Sequence, residues 1–388
     1  MIVMSVGTRG VRRRDGKSTG EGGGKILTTL LWATLLRSTR LWTARAVEVP
    51  GRTLIGRAGA TAWLVALCVV LPAQGVEPVR MAMPAFGSDA QIEVRDLPRA
   101  AAETAIQDAL AEIHQIQWLT DPTVNGPGGL YAVQAGAGTE VPVDLRIAEL
   151  LARAGQYCVW SSGVFSPLGG QVEALWQRQD TTGEGLQPQD LRDAVRNAAC
   201  GGLILRGPSS PGAAPTVRIP VGGRLTAFGV RRGFAVDKAI EVLQRHGVTN
   251  AFVEIGHVVR AIGSGPDGKG WLVVVPGVPK TRHPLDQIWL RNQSLGVIRK
   301  GERRRLDHRK GVVGLGVVQV ATVSELAVDT EILTHTLFVT GLPEGQRLVG
   351  VLNPKPSIFW LMGNGVGVPL ESQYRWSELS RPRGSSGS

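Results

Sequence analysis

The stretch from Gly229 to Arg260, GVRRGFAVDKAIEVLQRHGVTNAFVEIGHVVR, decides the fold of this chain. Its apolar residues recur with a period near 3.6 between Phe234 and Leu243, which predicts an amphipathic helix. Gly247 suits the position just past the end of that helix. The residues after it alternate into a β-strand that stops at Gly256. The stretch therefore predicts a helix followed directly by a buried strand.

A basic turn with a glycine at each end precedes this helix, in the order Gly229, Val230, Arg231, Arg232, Gly233. The first N–H groups of a helix point outward, the helix dipole adds positive potential, and guanidinium groups pair with phosphate oxygens. The turn therefore predicts a binding site for a phosphate-containing ligand. A short Gly/Arg turn is a weak signal, and an ordinary helix–strand unit with solvated arginines is the alternative.

The composition is that of a folded protein with a basic N-terminal extension. The chain has 388 residues, 43% hydrophobic and 19% charged, which is enough for one large domain or two smaller ones. Residues 1–57 carry 11 Lys/Arg and 3 Asp/Glu, so most of the formal net charge of +11 lies there. Because the remainder is close to balanced, we expect no nucleic-acid partner.

The segment 58–76, AGATAWLVALCVVLPAQGV, contains no charged residue. It predicts a signal peptide or a signal anchor, and a buried core helix is the less consistent alternative. Residues 1–57 and 371–388 are predicted to be disordered. We therefore expect a periplasmic protein, or one attached through 58–76 to the outer side of the inner membrane.

The periodicity of the remaining chain predicts an α+β fold, with mixed sheets and packed helices. Further helices are predicted at Arg99–Leu119, Val143–Ala154 (capped by Asp144), Pro188–Ala199 and Leu326–Leu337. Strands are predicted at Met83–Val94, Leu203–Arg206, Val217–Pro220, Trp271–Pro276, Ser294–Arg299, Val312–Thr322 and within Gly350–Met362.

Two cysteines of this part, Cys158 and Cys200, are open to two interpretations. They could pair in an oxidising compartment, or they could be buried free thiols.

Several motifs of the chain resemble, in the same order, those of the FAD:protein FMN transferases, formerly called thiamine-biosynthesis lipoproteins. Residues 226–237, TAFGVRRGFAVD, resemble the signature D-L-G-G-I-A-K-G-Y-A-V-D. Residues 161–167 resemble S-G-G-x-F-D-P, residues 263–271 a G-x-x-P-x-G-x-x-W hairpin, residues 306–311 D-P-R-T-G, and residues 330–341 A-D-A-L-A-T-A-L-F-V-L-G. The resemblance spans about Met81 to Val366 and predicts one domain over 81–370.

Departures from the family pattern cluster at the positions that carry chemistry. Thr226 stands where the family has Asp, Phe228 where it has a glycine, Arg232 where it has Lys, and His257 where it has the last glycine of V-N-I-G-G. A side chain at 257 would crowd a nucleotide that approaches the backbone there.

The resemblance implies transfer of FMN from FAD to a Ser or Thr of an acceptor protein, with AMP as the leaving group. It also implies a divalent ion, Mg²⁺ or Mn²⁺, at the positions of Glu331 and His335, which we then expect to converge with the Gly229–Arg232 turn. These two residues are four apart and share one face of a helix, where we expect them at the surface. The alternative is that the two residues share a helix face and bind no metal.

The resemblance also implies the other site residues. The implied cofactor-binding residues are Gly229, Arg231, Arg232, Gly233, Asp237, Gly256 and His257, and the implied catalytic residues are Asp307, His308 and Arg309.

Three hypotheses of function follow. The chain is a divergent but working flavin transferase, or a catalytically impaired flavin- or nucleotide-binding accessory protein of the same fold. A membrane-anchored basic adaptor is the weakest hypothesis, because it depends on residues 1–57 alone.

Overall fold

The computed structural model describes residues 77–277, 284–301, 305–314 and 316–363, and the backbone of residues 2–3 and 367–370. The predicted segments 58–76 and 371–388, and the predicted extension apart from residues 2–3, lie outside the described residues. In the part that is described, no helix has both the length and the apolar character needed to cross a bilayer.

Seven α-helices form in the described residues, and the five predicted ones are confirmed, although the third and the last continue past their predicted ends. Arg99 begins the first helix as predicted, and the Asp144 side chain accepts a hydrogen bond from the Arg146 N–H at the start of the third. Two helices, of 6 and 13 residues, were not predicted. The helices are α1 Arg99–Thr120, α2 Leu130–Ala135, α3 Leu145–Trp160, α4 Gly170–Thr182, α5 Pro188–Asn197, α6 Arg231–Arg245 and α7 Ala327–Gly350.

The strands form one large sheet and three small ones. They are β1 Ile2–Val3, β2 Val79–Ala85, β3 Ser88–Val94, β4 Val141–Pro142, β5 Ile204–Arg206, β6 Thr216–Arg218, β7 Ala251–Ile255, β8 Val258–Ile262, β9 Trp271–Val275, β10 Asp286–Leu290, β11 Gln293–Arg299, β12 Leu306–Asp307, β13 Val312–Val313, β14 Val317–Ser324, β15 Ser357–Met362 and β16 Gly367–Leu370.

The large sheet has eight antiparallel strands in the order β16-β15-β14-β11-β8-β7-β3-β2. Alternate side chains of its strands point to opposite faces. On β7, Val253 and Ile255 join the core formed with α1, α6 and α7, whereas Phe252 joins a second core formed with β9 and β10. The sheet is therefore buried on both faces, between a helix layer and a small sheet, and the α+β prediction is confirmed.

Two predicted strands are wrong because each of them is interrupted. The run Met83–Val94 is a hairpin, since Phe86 and Gly87 both have positive φ (51° and 76°) and form the two-residue turn that joins β2 to β3. The run Val312–Thr322 likewise divides into β13 and β14.

Two further predictions about connections need correction. Residues 263–270 join strands of different sheets, so this segment is not a hairpin between paired strands. The helix predicted to end at Leu337 continues to Gly350, with a break at Gly341, whose φ of 70° is not helical. The last predicted strand consequently starts later, at Ser357.

Cys158 of α3 and Cys200, in the turn after α5, form a disulfide with a Cα–Cα distance of 5.7 Å. This is a normal separation for a disulfide. The pairing interpretation of these two cysteines is thus the one the structure supports. The bond closes a loop that contains α4 and α5.

Candidate active site

The basic segment Gly229–Gly233, whose last three residues form the first turn of α6, lies against the start and first turns of α7, and two glycines allow this close approach. Gly229 has φ of +85°, and a Cβ there would lie 3.1 Å from the His335 ring. A Cβ on Gly233 would lie 2.2 Å from the carbonyl oxygen of Ala327, at the start of α7. Larger residues at either position would separate the two helices.

Three titratable side chains converge beside this turn: His257, Glu331 and His335. One ligand-type atom from each lies within 4.8 Å of the others. Glu331 and His335 come from one face of α7, and His257 comes from the turn between β7 and β8, directly after Gly256. The expectation that Glu331 lies at the surface is wrong, because only 2% of the residue is exposed.

Hydrogen bonds fix the orientation of this cluster. Glu331 Oε2 accepts from the Gly233 N–H at 2.8 Å, so the anion at the α6 N-terminus is the Glu331 carboxylate. Arg232 donates through Nη1 to His257 Nδ1 at 2.8 Å and through Nη2 to the Phe86 carbonyl at 2.9 Å. Arg232 therefore joins the β2–β3 turn to the cluster.

The environment keeps both imidazoles neutral. Burial lowers the pKa of His257 well below its usual range, and the charges of Arg232 and Arg305 lower it further. Burial also lowers the pKa of His335, again with help from Arg305. Burial raises the pKa of Glu331, against the opposing effect of the Gly233 N–H. Neutral imidazoles are available as metal ligands at neutral pH.

Two other predicted cofactor-binding residues, Arg231 and Asp237, have different surroundings in the structure. The Arg231 guanidinium lies over the Phe86 ring, 5.4 Å from its centroid. Asp237 is instead buried and contacts protein donors. Its carboxylate accepts from the N–H groups of Ala327 and Val328 and from Arg260 at 2.7–2.9 Å. Asp237 thus caps α7 from α6.

The predicted catalytic residues Asp307, His308 and Arg309 are held by protein partners. The Arg309 guanidinium donates to Asp307 and also pairs with Glu344 at 3.0 Å. His308 Nδ1 accepts from the Ser166 N–H at 3.0 Å. A neutral His308 therefore carries its proton on Nε2, which lies 3.5 Å from Glu173 Oε1.

Replacing His308 with leucine should lower the free energy of unfolding by about 1–3 kcal/mol, because the buried Ser166 N–H loses its acceptor. His308→Asn should cost less, since its side-chain oxygen can take the Nδ1 position. Urea unfolding measures both variants. Equal losses of stability in the two variants would contradict the idea that His308 Nδ1 is needed as the acceptor for the Ser166 N–H.

A small cavity of about 20 Å³ links His308 and Glu173 to His335. The Phe228 and His335 rings meet edge-on, with their centroids 5.0 Å apart. The Arg305 guanidinium lies over the Phe228 ring, 4.8 Å from its centroid. The cavity holds about one water molecule, far less than a small-molecule pocket of several hundred Å³. Phe228 and Arg305 therefore close the site in this conformation.

Sequence reasoning missed the roles of four residues around the site. Phe228 was noticed only as a departure from the family pattern, and Arg260 and Glu173 gave no motif signal. Arg305 was one of three consecutive arginines, a run that usually indicates a solvated loop, yet it is 5% exposed. A single aromatic in a glycine-rich turn was the one usable signal.

Comparisons with known proteins agree with this architecture. The FAD:protein FMN transferase of Treponema pallidum (strain Nichols) is 27% identical over 168 residues, 43% of this chain and 46% of the relative. The chain thus aligns with about half the length of that relative.

Solved structures share the fold at low sequence identity. The ApbE protein of Thermotoga maritima MSB8 is 21% identical with a TM-score of 0.65, covering 76% of this chain and 97% of its own. The apo flavinyl transferase ApbE of Pseudomonas stutzeri is 20% identical with a TM-score of 0.65, covering 78% and 97%. The sequence profile of the ApbE family matches residues 86–358, well over half of the chain. The chain belongs to the ApbE family.

Proposed function

We propose that this protein transfers FMN from FAD to a Ser or Thr hydroxyl of an acceptor protein and releases AMP. The observation that carries the proposal is the buried His257–Glu331–His335 cluster at the Gly/Arg start of α6, in a chain of the ApbE family. The activity named for the Treponema relative, FAD:protein FMN transferase, supports the same reaction.

The reaction exchanges one phosphorus–oxygen bond for another. The acceptor hydroxyl oxygen bonds to the FMN phosphorus, the bond from that phosphorus to the bridging oxygen breaks, and AMP leaves with the bridging oxygen. The hydroxyl proton passes to a base or to solvent. Such a transfer depends on positioning and on stabilising negative charge.

The Gly229–Gly233 turn is the proposed pyrophosphate site. Arg231 and Arg232 are part of it, and guanidinium groups suit phosphate oxygens. Glu331 and His335 are the proposed ligands of a divalent ion, which when bound offsets the pyrophosphate charge.

The test is AMP release from FAD by the full-length protein, with an acceptor protein and, in separate assays, Mg²⁺, Mn²⁺, Co²⁺ or Zn²⁺. We expect AMP and covalently flavinylated acceptor in equal amounts, and loss of both with a chelator. FAD binding without AMP release under every metal condition would contradict the proposal and favour the impaired, accessory alternative.

Replacing Arg232 with glutamine should weaken FAD binding by about 1.5–3 kcal/mol, the contribution of a hydrogen bond to a charged group. Arg245→Gln is the matched control, because Arg245 is an exposed arginine of the same helix, about 20 Å away. Flavin fluorescence titration measures both. Equal affinities for the two variants would place the pyrophosphate elsewhere.

We also propose that the folded part lies outside the cytoplasm, exported through 58–76, with membrane attachment as one form of this proposal. The Cys158–Cys200 disulfide supports it, because disulfides persist in oxidising compartments. A topology reporter fused after residue 90 should be active only outside the cytoplasm. Cytoplasmic reporter activity would contradict the proposal.

A further inference from the structure

We propose that His257, Glu331 and His335 form a three-ligand site for a first-row transition-metal dication of the zinc type, and that Arg232 opposes ligation by His257. The inference deepens the proposed function, since it concerns the metal of the same site. It also assigns a role to His257, which stands at a position where the family pattern has glycine.

Two unsatisfied nitrogen atoms indicate that a ligand belongs here. The Nε2 atoms of His257 and His335 are both buried without a hydrogen-bond partner. Buried polar atoms normally have a partner, because an unpaired one costs free energy. The His257 Nε2 lies 3.7 Å from Glu331 Oε1, so its open position faces a carboxylate. A metal ion between these groups would satisfy them.

The distances are close to those of coordination. Two ligands that each lie about 2.1 Å from one ion are at most about 4.2 Å apart. In a tetrahedral site the ligand atoms are about 3.4 Å apart. The three ligand atoms here lie within 4.8 Å of one another, so binding one ion would require a pair of them to approach by at most about 1.4 Å. Over the described part of the chain, no second group of His, Cys, Asp and Glu has such spacing.

The donor set does not suit Mg²⁺. Magnesium prefers oxygen ligands in a nearly ideal octahedron, whereas imidazole favours zinc, copper, iron and nickel. Two imidazole nitrogens and one carboxylate oxygen form a set that binds catalytic zinc or non-haem iron, with positions left open for water or substrate. The residues of this chain thus disagree with the magnesium site that the family resemblance implies.

Glu331 is already oriented for ligation. Its Oε2 is held by the Gly233 N–H, which leaves Oε1 facing His257 Nε2. Hydrogen bonds of this kind, from a group next to the ligand, fix ligand geometry in metal sites.

His257 is oriented against ligation by its contact with Arg232. A ligating histidine normally donates its second ring N–H to an acceptor. Here Nδ1 receives a hydrogen bond from Arg232, so the proton of a neutral ring lies on Nε2, the atom that faces Glu331. Ligation through Nε2 requires the proton to move to Nδ1 and the Arg232 contact to break. Removal of the guanidinium should therefore favour metal binding.

The experiment measures metal binding by the full-length protein, purified without a polyhistidine tag and stripped with a chelator. Co²⁺ is titrated by its visible absorption, and Zn²⁺ and Mg²⁺ are added in competition. We expect one Co²⁺ per chain, displaced by Zn²⁺ and retained in a large excess of Mg²⁺. Displacement by Mg²⁺ at concentrations similar to that of Co²⁺ would overturn the proposal, and this wild-type comparison needs no variant.

The variants separate the two parts of the proposal. His257→Ala should weaken Co²⁺ binding at least as much as loss of an outer-shell partner does, roughly 10–100-fold. The exposed His246, which pairs with Asp108, provides the control His246→Ala with unchanged affinity. Wild-type affinity in folded His257→Ala would overturn the three-ligand site.

Arg232→Gln should tighten Co²⁺ binding by roughly tenfold, within the range of outer-shell effects. Arg231→Gln is the matched control, because it removes the same charge from the neighbouring residue, whose guanidinium lies over Phe86. An equal effect of both variants would overturn the role assigned to the Arg232–His257 hydrogen bond. Because no FAD is present, failure here leaves the AMP-release test of the transferase reaction unaffected.

Discussion

The Glu331→Gln variant should lose AMP release from FAD by at least about 10²–10³-fold, the loss seen when one preorganised charge-stabilising group is removed. Glutamine keeps an oxygen that accepts the Gly233 N–H bond, but it lacks the charge needed to hold a dication beside two imidazoles. Chromatographic assay of AMP under saturating FAD measures the effect.

The experiment must distinguish a loss of activity caused by unfolding from one caused by removal of the Glu331 charge. Glu331→Ala leaves the buried Gly233 N–H without an acceptor, which costs about 1–3 kcal/mol of stability. The glutamine variant avoids that cost. Glu325→Ala, at an exposed residue just before α7, should retain full activity. Wild-type AMP release by folded Glu331→Gln would exclude a catalytic role for the carboxylate.

Removal of the Asp237 carboxylate should lower the free energy of unfolding by about 3–5 kcal/mol, as expected when a buried ion pair loses one partner. Asp237→Ala leaves the Arg260 guanidinium and the first two N–H groups of α7 without their acceptor. Guanidinium-chloride unfolding measures the loss. Asp267→Ala, in the exposed loop after β8, should change stability by no more than about 0.5 kcal/mol.

A double variant tests the cause of that loss. Arg260→Met combined with Asp237→Leu removes both charges and should be more stable than Asp237→Leu alone, since no unpaired charge remains buried. If the second substitution adds a further loss instead, the ion pair is not the source of the destabilisation.

Local patterns predicted the helix–strand unit and most helices of this fold because each carries its own signal. The α6 periodicity, the Asp144 cap and the apolar face of α1 all depend on residues a few positions apart. The Phe86-Gly87 turn was missed because it lacks the Asn-Gly or Asp-Gly pair that usually indicates a two-residue hairpin.

The candidate site was predicted only in part, because its contacts join distant segments. The i,i+4 spacing of Glu331 and His335 placed them on one face, as the structure has them. The family resemblance predicted that they converge with the Gly229–Arg232 turn, but no spacing could show that this face of α7 is buried, which is why Glu331 was expected at the surface. For the same reason, the position of His257 beside them and the capping of α7 by Asp237 came from the structure.

The disulfide has a consequence for how this molecule responds to proteolysis. Its two cysteines are 42 residues apart, and the loop between α4 and α5, residues 183–187, is largely exposed. Exposed loops are preferred sites of cleavage. A cut there would leave both halves of the chain covalently joined and still tied at α3. Nicked protein would therefore migrate as one species on a non-reducing gel and separate into two fragments only after reduction.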